Sequence, residues 1–363
     1  MEPWFGEEEA KAVYDYLKSN NKGKPWNSEF EKTVQNVTGA SFAVTTLNGT
    51  ISLTQALLAL ELKPGDEVLV PNSTMIATPN SCLIIGLKPV LVDIERETLC
   101  LDLTCAEKAL TPRTKAMMYV PLNGRSGNMD EVVAFCRKHN LFLIEDAAQA
   151  LGSYYKGTHF FKKHLGTFGD IGSFSFSLFK IISTTQGAVL VTDSPKWHDR
   201  IKLLKDFGRT GKGPDIHDHF GFNFKMSGVL ALIGVEQFKK LSWRMKRKKE
   251  MFARFKDGLS DTPQVEFIKT DLSVTTPWFM DIFVDEPAKL ADFLRKEGID
   301  TRFFYPPVHT QEVYKKEYTG KSFPVSEHYA KRGLWLPSSS QLTNDEIDFI
   351  ISAIKRFYNV RVK

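Results

Sequence analysis

Seven short runs in the N-terminal part of the chain are apolar almost without a break: FAVTT (42–46), DEVLVP (66–71), KPVLVDI (88–94), KAMMYVP (115–121), LFLIED (141–146), IGSFSFS (171–177) and GAVLVTD (187–193). Most are separated by stretches whose apolar positions recur at helical spacing, and a further helix is expected at the start, over about 7–19. Strands without a polar face are buried on both sides, so the alternation predicts an α/β domain with a mostly parallel sheet between helix layers. The last three runs follow one another with one long connection and no evident crossover helix. That predicts some antiparallel pairing and a mixed sheet.

From about 228 the spacing becomes that of one long helix through VLALIGVEQFKKLSWRMKRKKEMFARFKDGL (229–259). After it come a strand, WFMDIFV (278–284), a helix, PAKLADFLRKEG (287–298), the segment IDTRFFYPPVHTQ (299–311), and a closing helix in TNDEIDFIISAIKRFY (343–358), with Thr343 and Asn344 as candidate caps. The pattern divides the chain into a large α/β domain over 1–240 and a smaller α+β domain over 241–363. No low-complexity linker separates them, which predicts a broad interface and a ligand cleft along it.

Composition narrows the partners. With 42% hydrophobic and 25% charged residues in 363, the chain is an ordinary globular protein, and its net charge of +5 is dispersed. Only RMKRKK (Arg244 to Lys249) is a basic cluster, read as a solvated helix face rather than a nucleic-acid patch. No apolar run approaches the roughly 20 residues of a membrane span, and the opening MEPWFGEEEAKAV is acidic rather than leader-like. The expectation is a cytoplasmic protein with neither nucleic acid nor membrane as partner. The four cysteines (Cys82, Cys100, Cys105, Cys136) offer one C-x4-C pair with no second pair or nearby histidine, and the eight histidines are scattered, so reduced thiols and no metal site are expected.

Three stretches carry candidate chemistry. LIEDAAQALG (143–152) sets Glu145 and Asp146 at the C-terminal end of a buried strand, where ligands of open α/β sheets bind, although an acid before AAQAL could equally cap a helix. In LNGTISLTQALLAL (47–60), Asn48-Gly49-Thr50 lies between a strand and a helix, so Gly49 admits close backbone approach, Thr50 offers a hydroxyl and the helix start offers N–H groups to an anion. The same Asn-Gly pair is also a common turn. In IGSFSFSLFK (171–180), Lys180 follows an alternation of serine and phenylalanine. A lone lysine there usually snorkels to water, but one withdrawn from water can be neutral enough to form a Schiff base. Together the three supply an imine-forming amine, an anion cradle and a carboxylate, the set that pyridoxal phosphate needs.

IEDAAQALGSYYKG…GTFGDIGSFSFSLFKIISTTQGAVLVTD resembles the core of the DegT/StrS-type sugar aminotransferases, pyridoxal-phosphate enzymes of fold type I. The likeness extends through EPWFGEEEAKAV, NGT, PGDEVLVPNSTMIAT, KPVLVDI, TPRTKA and FGFNFKMSG to the final helix. It implies a mixed, mostly parallel seven-stranded sheet with a smaller C-terminal domain, and a homodimer with shared active sites. RFFYPPVHTQEVY and FPVSEHYAKRGLWLPS are most similar to the branch that forms GDP-linked perosamine. The implied reaction moves an amino group from glutamate to the C4 ketone of a nucleotide-linked 4-keto-6-deoxy sugar, GDP-4-keto-6-deoxymannose in that branch.

By the same resemblance, Lys180 holds the cofactor aldehyde and moves the proton, Asp146 binds the pyridine nitrogen, and Gln149 the ring hydroxyl. Ser175, Gly49 and Thr50 take the phosphate, and Met75 stands where an aromatic residue usually stacks on the ring. Asn223 matches the asparagine that reaches the phosphate from the neighbouring subunit, and His309 falls in the substrate pocket. Three departures bear on substrate choice: Thr185-Gln186-Gly187-Ala188 replaces a Gly-Glu-Gly-Gly loop, Lys225 replaces an arginine, and the loop VPLNGRSGNMD lacks a histidine near Pro121. They leave two alternatives open, a non-catalytic binder of pyridoxal phosphate or nucleotide sugar, and a dehydratase, against which Lys180 argues because those relatives carry histidine in its place.

Overall fold

Each of the seven apolar runs forms a strand of one sheet in the computed structural model of the chain, which describes residues 4–19, 25–159, 162–211 and 215–359. In chain order the strands are β1 (Phe42–Thr46), β2 (Glu67–Pro71), β3 (Lys88–Val92), β4 (Thr114–Tyr119) and β5 (Phe142–Asp146), then the small pair β6 (Tyr154–Tyr155) and β7 (Lys163–His164), then β8 (Ile171–Ser175) and β9 (Ala188–Thr192). The large sheet runs β1-β9-β8-β5-β4-β2-β3. From β3 across to β8 every pairing is parallel, while β9 is antiparallel to both of its neighbours. Residues 176–187, which join β8 to β9, contain no helix, so the chain returns without a crossover and must reverse direction.

The strands are apolar throughout because both faces are covered. Leu69, Met117 and Val189 face a core that includes Phe30 and Val34 of the helix Trp26–Thr38 and Val132 of the helix Met129–Lys138. Their neighbours Val68, Ala116 and Leu190 face the other side, with Leu53 and Leu57 of the helix Gly49–Ala59 and Ile201 of the helix Pro195–Lys205. This two-residue alternation is the sheet pleat expressed as two cores.

The region expected as one long helix is two, Gly228–Phe238 and Leu241–Gly258. Lys239 and Lys240 each donate a backbone bond only three residues back, to Glu236 and Gln237, which tightens the chain into a turn. The basic cluster on the second helix also departs from a solvated face. Arg244 and Lys248, one turn apart, are 4% and 3% exposed, and their cationic heads bond carbonyl groups in the interior. Sequence spacing gave no sign of this, since charge itself argues for the surface.

The C-terminal part holds β10 (Met280–Phe283), β11 (Arg302–Phe303) and β12 (Gly333–Leu336) in an antiparallel sheet ordered β10-β12-β11. The helices Pro287–Lys296 and Asn344–Asn359 pack against it around a third core. Thr343 caps the last helix, accepting from Glu346 N at 3.2 Å while Glu346 accepts from Thr343 N at 2.7 Å. Val308, Tyr314, Tyr318 and Phe323 return to the core beneath the large sheet, and the buried Asp93 that follows β3 accepts from the backbone of Val325 and Ser326. The two parts are thus interleaved rather than strung end to end. No described helix is long and apolar enough to cross a membrane.

Candidate active site

A cavity of about 730 Å³ opens between the C-terminal ends of the large-sheet strands and the small sheet. Asn48, Gly49, Thr50, Met75, Asp146, Gln149, Ser175 and Lys180 line it, so three separate sequence stretches converge on one space. Gly49 opens the helix Gly49–Ala59, whose cap is Asn48, accepting from Ile51 N at 2.9 Å. A side chain at Gly49 would place its Cβ 3.1 Å from both Cβ and Oγ of Ser175, so it would crowd the cradle shared by the backbone N–H groups of this helix start and the Ser175 hydroxyl.

β5 ends at Asp146 and runs into a turn, not a helix, which removes the capping alternative. The carboxylate accepts from Thr78 Oγ1 at 2.7 Å and from Ala148 N at 3.3 Å. Burial pushes its pKa up, against the opposing pull of Thr78 and the charge of Lys180. Lys180 is the counterpart. Burial pulls its ammonium down to about 7, and Asp146 only partly offsets that. Among the described residues the Lys180 amino group makes no hydrogen bond or ion pair; it lies 3.6 Å from the centre of the Trp278 ring.

The peptide around Lys180 is held from both sides. Trp278 Nε1 donates to Phe179 O at 2.8 Å, and Arg244 Nη1 donates to Ile181 O at 2.6 Å. Lys248 in turn donates to Trp278 O at 2.9 Å and to Ser338 O. The buried cations of the basic cluster therefore serve the lysine loop.

Gln149 accepts from Asn123 N at 2.9 Å through Oε1, and its Nε2 lies 3.4 Å from Tyr305 OH. Asn123 sits at φ 56°, a left-handed conformation that asparagine tolerates, in the loop that lacks the expected histidine. Its Oδ1 accepts from Trp278 N and Phe279 N at 2.8 and 2.7 Å, and its Nδ2 donates to Asp281 at 2.9 Å. Arg125 closes this network with a two-pronged pair to Asp281, at 2.6 and 3.2 Å. Thr185, the first of the altered glycine-loop residues, adopts φ 66°, a region that a β-branched side chain resists.

Three residues singled out in the sequence stand apart from this cavity. Asn223 is exposed and bridges Asp206, and Lys225 is ion-paired to Asp206 at 2.5 Å. His309 donates through its backbone N to Asn72 at 3.0 Å and lies 3.5 Å from Glu327. Conversely, the sequence gave no reason to select Thr78, Trp278, Phe279, Arg302, Tyr305 or Trp335. Trp278 and Phe279 immediately precede a strand, and Trp335 lies inside one, where an aromatic reads as core.

The fold, with the family match and relatives that follow, makes this chain a sugar aminotransferase that uses pyridoxal phosphate. The chain belongs to the DegT/DnrJ/EryC1/StrS aminotransferase family, whose sequence profile matches residues 3–355. It is 35% identical to the GDP-perosamine synthase of Escherichia coli O157:H7, over 91% of this chain and 90% of that protein. The spore coat polysaccharide biosynthesis protein SpsC of Bacillus subtilis strain 168 is 32% identical, over 97% and 95%. Among solved structures, NtdA of Bacillus subtilis, with its cofactor PMP bound, superposes with a TM-score of 0.89 at 25% identity, covering 98% of this chain and 83% of that one.

Proposed function

We propose that this enzyme takes the amino group of glutamate and places it on the C4 ketone of GDP-4-keto-6-deoxymannose, giving GDP-perosamine. The observation that carries the reading is the Lys180 amino group, which has no bonding partner among the described residues and lies within the field of Asp146 in the cavity, burial pulling its pKa down to about 7. The donor set fits the cofactor. Lys180 Nζ would bond its aldehyde carbon, Asp146 would pair with the ring nitrogen, Gln149 would meet the ring hydroxyl, Met75 would pack on the ring, and Gly49, Thr50 and Ser175 would take the phosphate. Bound pyridoxal phosphate supplies an electron sink that acidifies a C–H bond next to nitrogen. With the cofactor bound, Lys180 Nζ would take the donor's Cα proton in one half-reaction and would deliver a proton to the sugar's C4 in the other; a pKa of about 7 suits one group to both roles. Asp146, paired with the ring nitrogen, would keep it protonated.

The choice of sugar rests on the relative that makes GDP-perosamine and on the RFFYPPVHTQ segment. Purified enzyme, glutamate and a panel of GDP-, dTDP- and UDP-linked 4-keto-6-deoxy sugars separate the options by mass. GDP-4-keto-6-deoxymannose is expected to gain the amino group fastest. A dTDP or UDP sugar aminated ten times faster would overturn the sugar assignment and leave the aminotransferase intact.

The reading also includes a homodimer in which Asn223 reaches the phosphate in the partner's cavity, in keeping with its exposure and its separation from its own cavity. Lys180→Ala and Asn223→Asp homodimers are then each nearly inactive. In a heterodimer of the two, both lesions fall on one site and the other is intact. Re-associated mixtures should recover up to about half of the wild-type activity per verified heterodimer. Verified heterodimers without recovery would show that both residues serve one chain.

A further inference from the structure

The charged side chains that line the cavity, among the described residues, are Asp146, Lys180, Asp300 and Arg302. The first two are committed to the cofactor in the reading above, on which this inference rests. Yet an amino-acid donor brings a carboxylate attached directly to the reacting carbon, and that anion must enter the same cavity. It needs a cation that the cofactor does not use.

Arg302 is that cation. It makes no hydrogen bond or ion pair with a described residue, and its guanidinium lies 5.1 Å from the centre of the Trp335 ring. Register explains the placement: Arg302 on the edge strand β11 is the direct partner of Trp335 on β12. Trp335 stacks on Phe279 at 4.0 Å, Phe279 lies 3.8 Å from Trp278, and Trp278 is the ring beneath the Lys180 amino group. A continuous aromatic wall thus connects the reacting amine to a free guanidinium. Stacking on an indole restricts the guanidinium without using any of its five N–H donors, which leaves the planar fork ready for a carboxylate. Lys225, where the family pattern has an arginine, is occupied by Asp206 and lies outside the cavity.

We propose that Arg302 binds the α-carboxylate of the amino donor and thereby makes the enzyme select an amino acid over other primary amines. The competing anion is the diphosphate of the sugar substrate. It is attached at C1, across the hexose ring from the reacting C4, so a sugar with C4 at Lys180 carries its diphosphate away from the lysine. The donor leaves as a 2-oxo acid with the same carboxylate, so Arg302 serves both directions of that half-reaction.

The test uses holoenzyme, wild type, Arg302→Met and Arg302→Lys, with the two half-reactions followed separately by the cofactor's absorbance in single turnovers. Donors are glutamate and isoglutamine, which replaces only the α-carboxylate by an amide. Arg302→Met is expected to slow the glutamate half-reaction about 30- to 100-fold, as loss of a two-pronged, charge-assisted contact at a solvated site does. The isoglutamine and sugar half-reactions should change less than about 3-fold, because neither places a carboxylate at this position. Calorimetric affinity for glutarate, which cannot react, should fall at least about 30-fold, and Arg302→Lys should restore part of it, since lysine keeps the charge but not the fork. Arg302 is exposed on an edge strand, so folding of the variants is not in question. Equal losses with glutamate and isoglutamine, or a loss confined to the sugar half-reaction, would overturn the assignment. A wild-type enzyme that ignores glutamate but reacts with another amino acid would sink the glutamate reading alone, and the comparison of that amino acid with its amide would still decide Arg302.

Discussion

Lys180→Met is expected to abolish transamination and, in the same molecule, to raise the thermal midpoint of the cofactor-free protein below pH 7. The two effects have one cause. In the folded, cofactor-free protein the lysine's pKa is lowered from its ordinary value to about 7 by burial. Below pH 7 both folded and unfolded chains carry the proton, so the folded state bears the full penalty of a poorly solvated charge. Between pH 7 and about 10.5 only the unfolded chain holds that proton, and the penalty shrinks as the pH rises until it vanishes. The amine still meets water through the cavity, so the gain for methionine is about 1–2 kcal/mol rather than the full value of the shift. Calorimetric scans of both proteins at pH 6 and pH 9.5 check this, with the difference at pH 9.5 reduced to about a third of that at pH 6. An equal gain at both would mean that the methionine helps by packing. Any residual turnover beyond background would remove Lys180 from the chemistry.

The second large effect is expected at Asp281, which no chemistry touches. Asp281 and Arg125 have side chains 1% and 3% exposed, paired at 2.6 Å, and Asn123 bonds the same carboxylate. Asp281→Ala leaves a buried guanidinium without its anion and should cost about 3–5 kcal/mol, read as a lower urea midpoint with unchanged slope. The double variant Arg125→Met, Asp281→Leu removes both charges and should regain most of that stability. Turnover should return only in part, because Asn123, which positions Gln149 and the Trp278–Phe279 backbone, has lost its own anchor at Asp281. A single Asp281→Ala variant within about 1 kcal/mol of wild type would show that the pair is not a structural tie between the two sheets.

The strands, and the residues that line the large-sheet side of the cavity, were legible in the sequence because both rest on local chemistry. A buried strand must be apolar along its length, and each of the seven runs carried that mark. Asp146, Gly49 and Lys180 were marked by residue type at the ends of such strands. The far side of the cavity was not legible. Trp335 and Arg302 meet there through small-sheet pairing, and Trp278 joins them through Phe279, contacts between segments far apart in the chain. Arg244 and Lys248 were misread for a related reason. A cation is assigned to solvent until its carbonyl partners, at Ile181, Trp278 and Ser338, are known to converge on it.

The antiparallel strand β9 is also a matter of timing. β1 stands at the edge of the large sheet, and β9 is its neighbour there, although roughly 140 residues of chain separate them. Translation at ~5–20 residues per second leaves FAVTT waiting about 7–28 s for the strand that will shield its edge, while β2, β3 and β4 can pair among themselves much sooner. During synthesis the N-terminal strand is therefore an unpaired apolar segment, and the newborn chain's exposure to aggregation is concentrated at its first strand until β9 pairs with it.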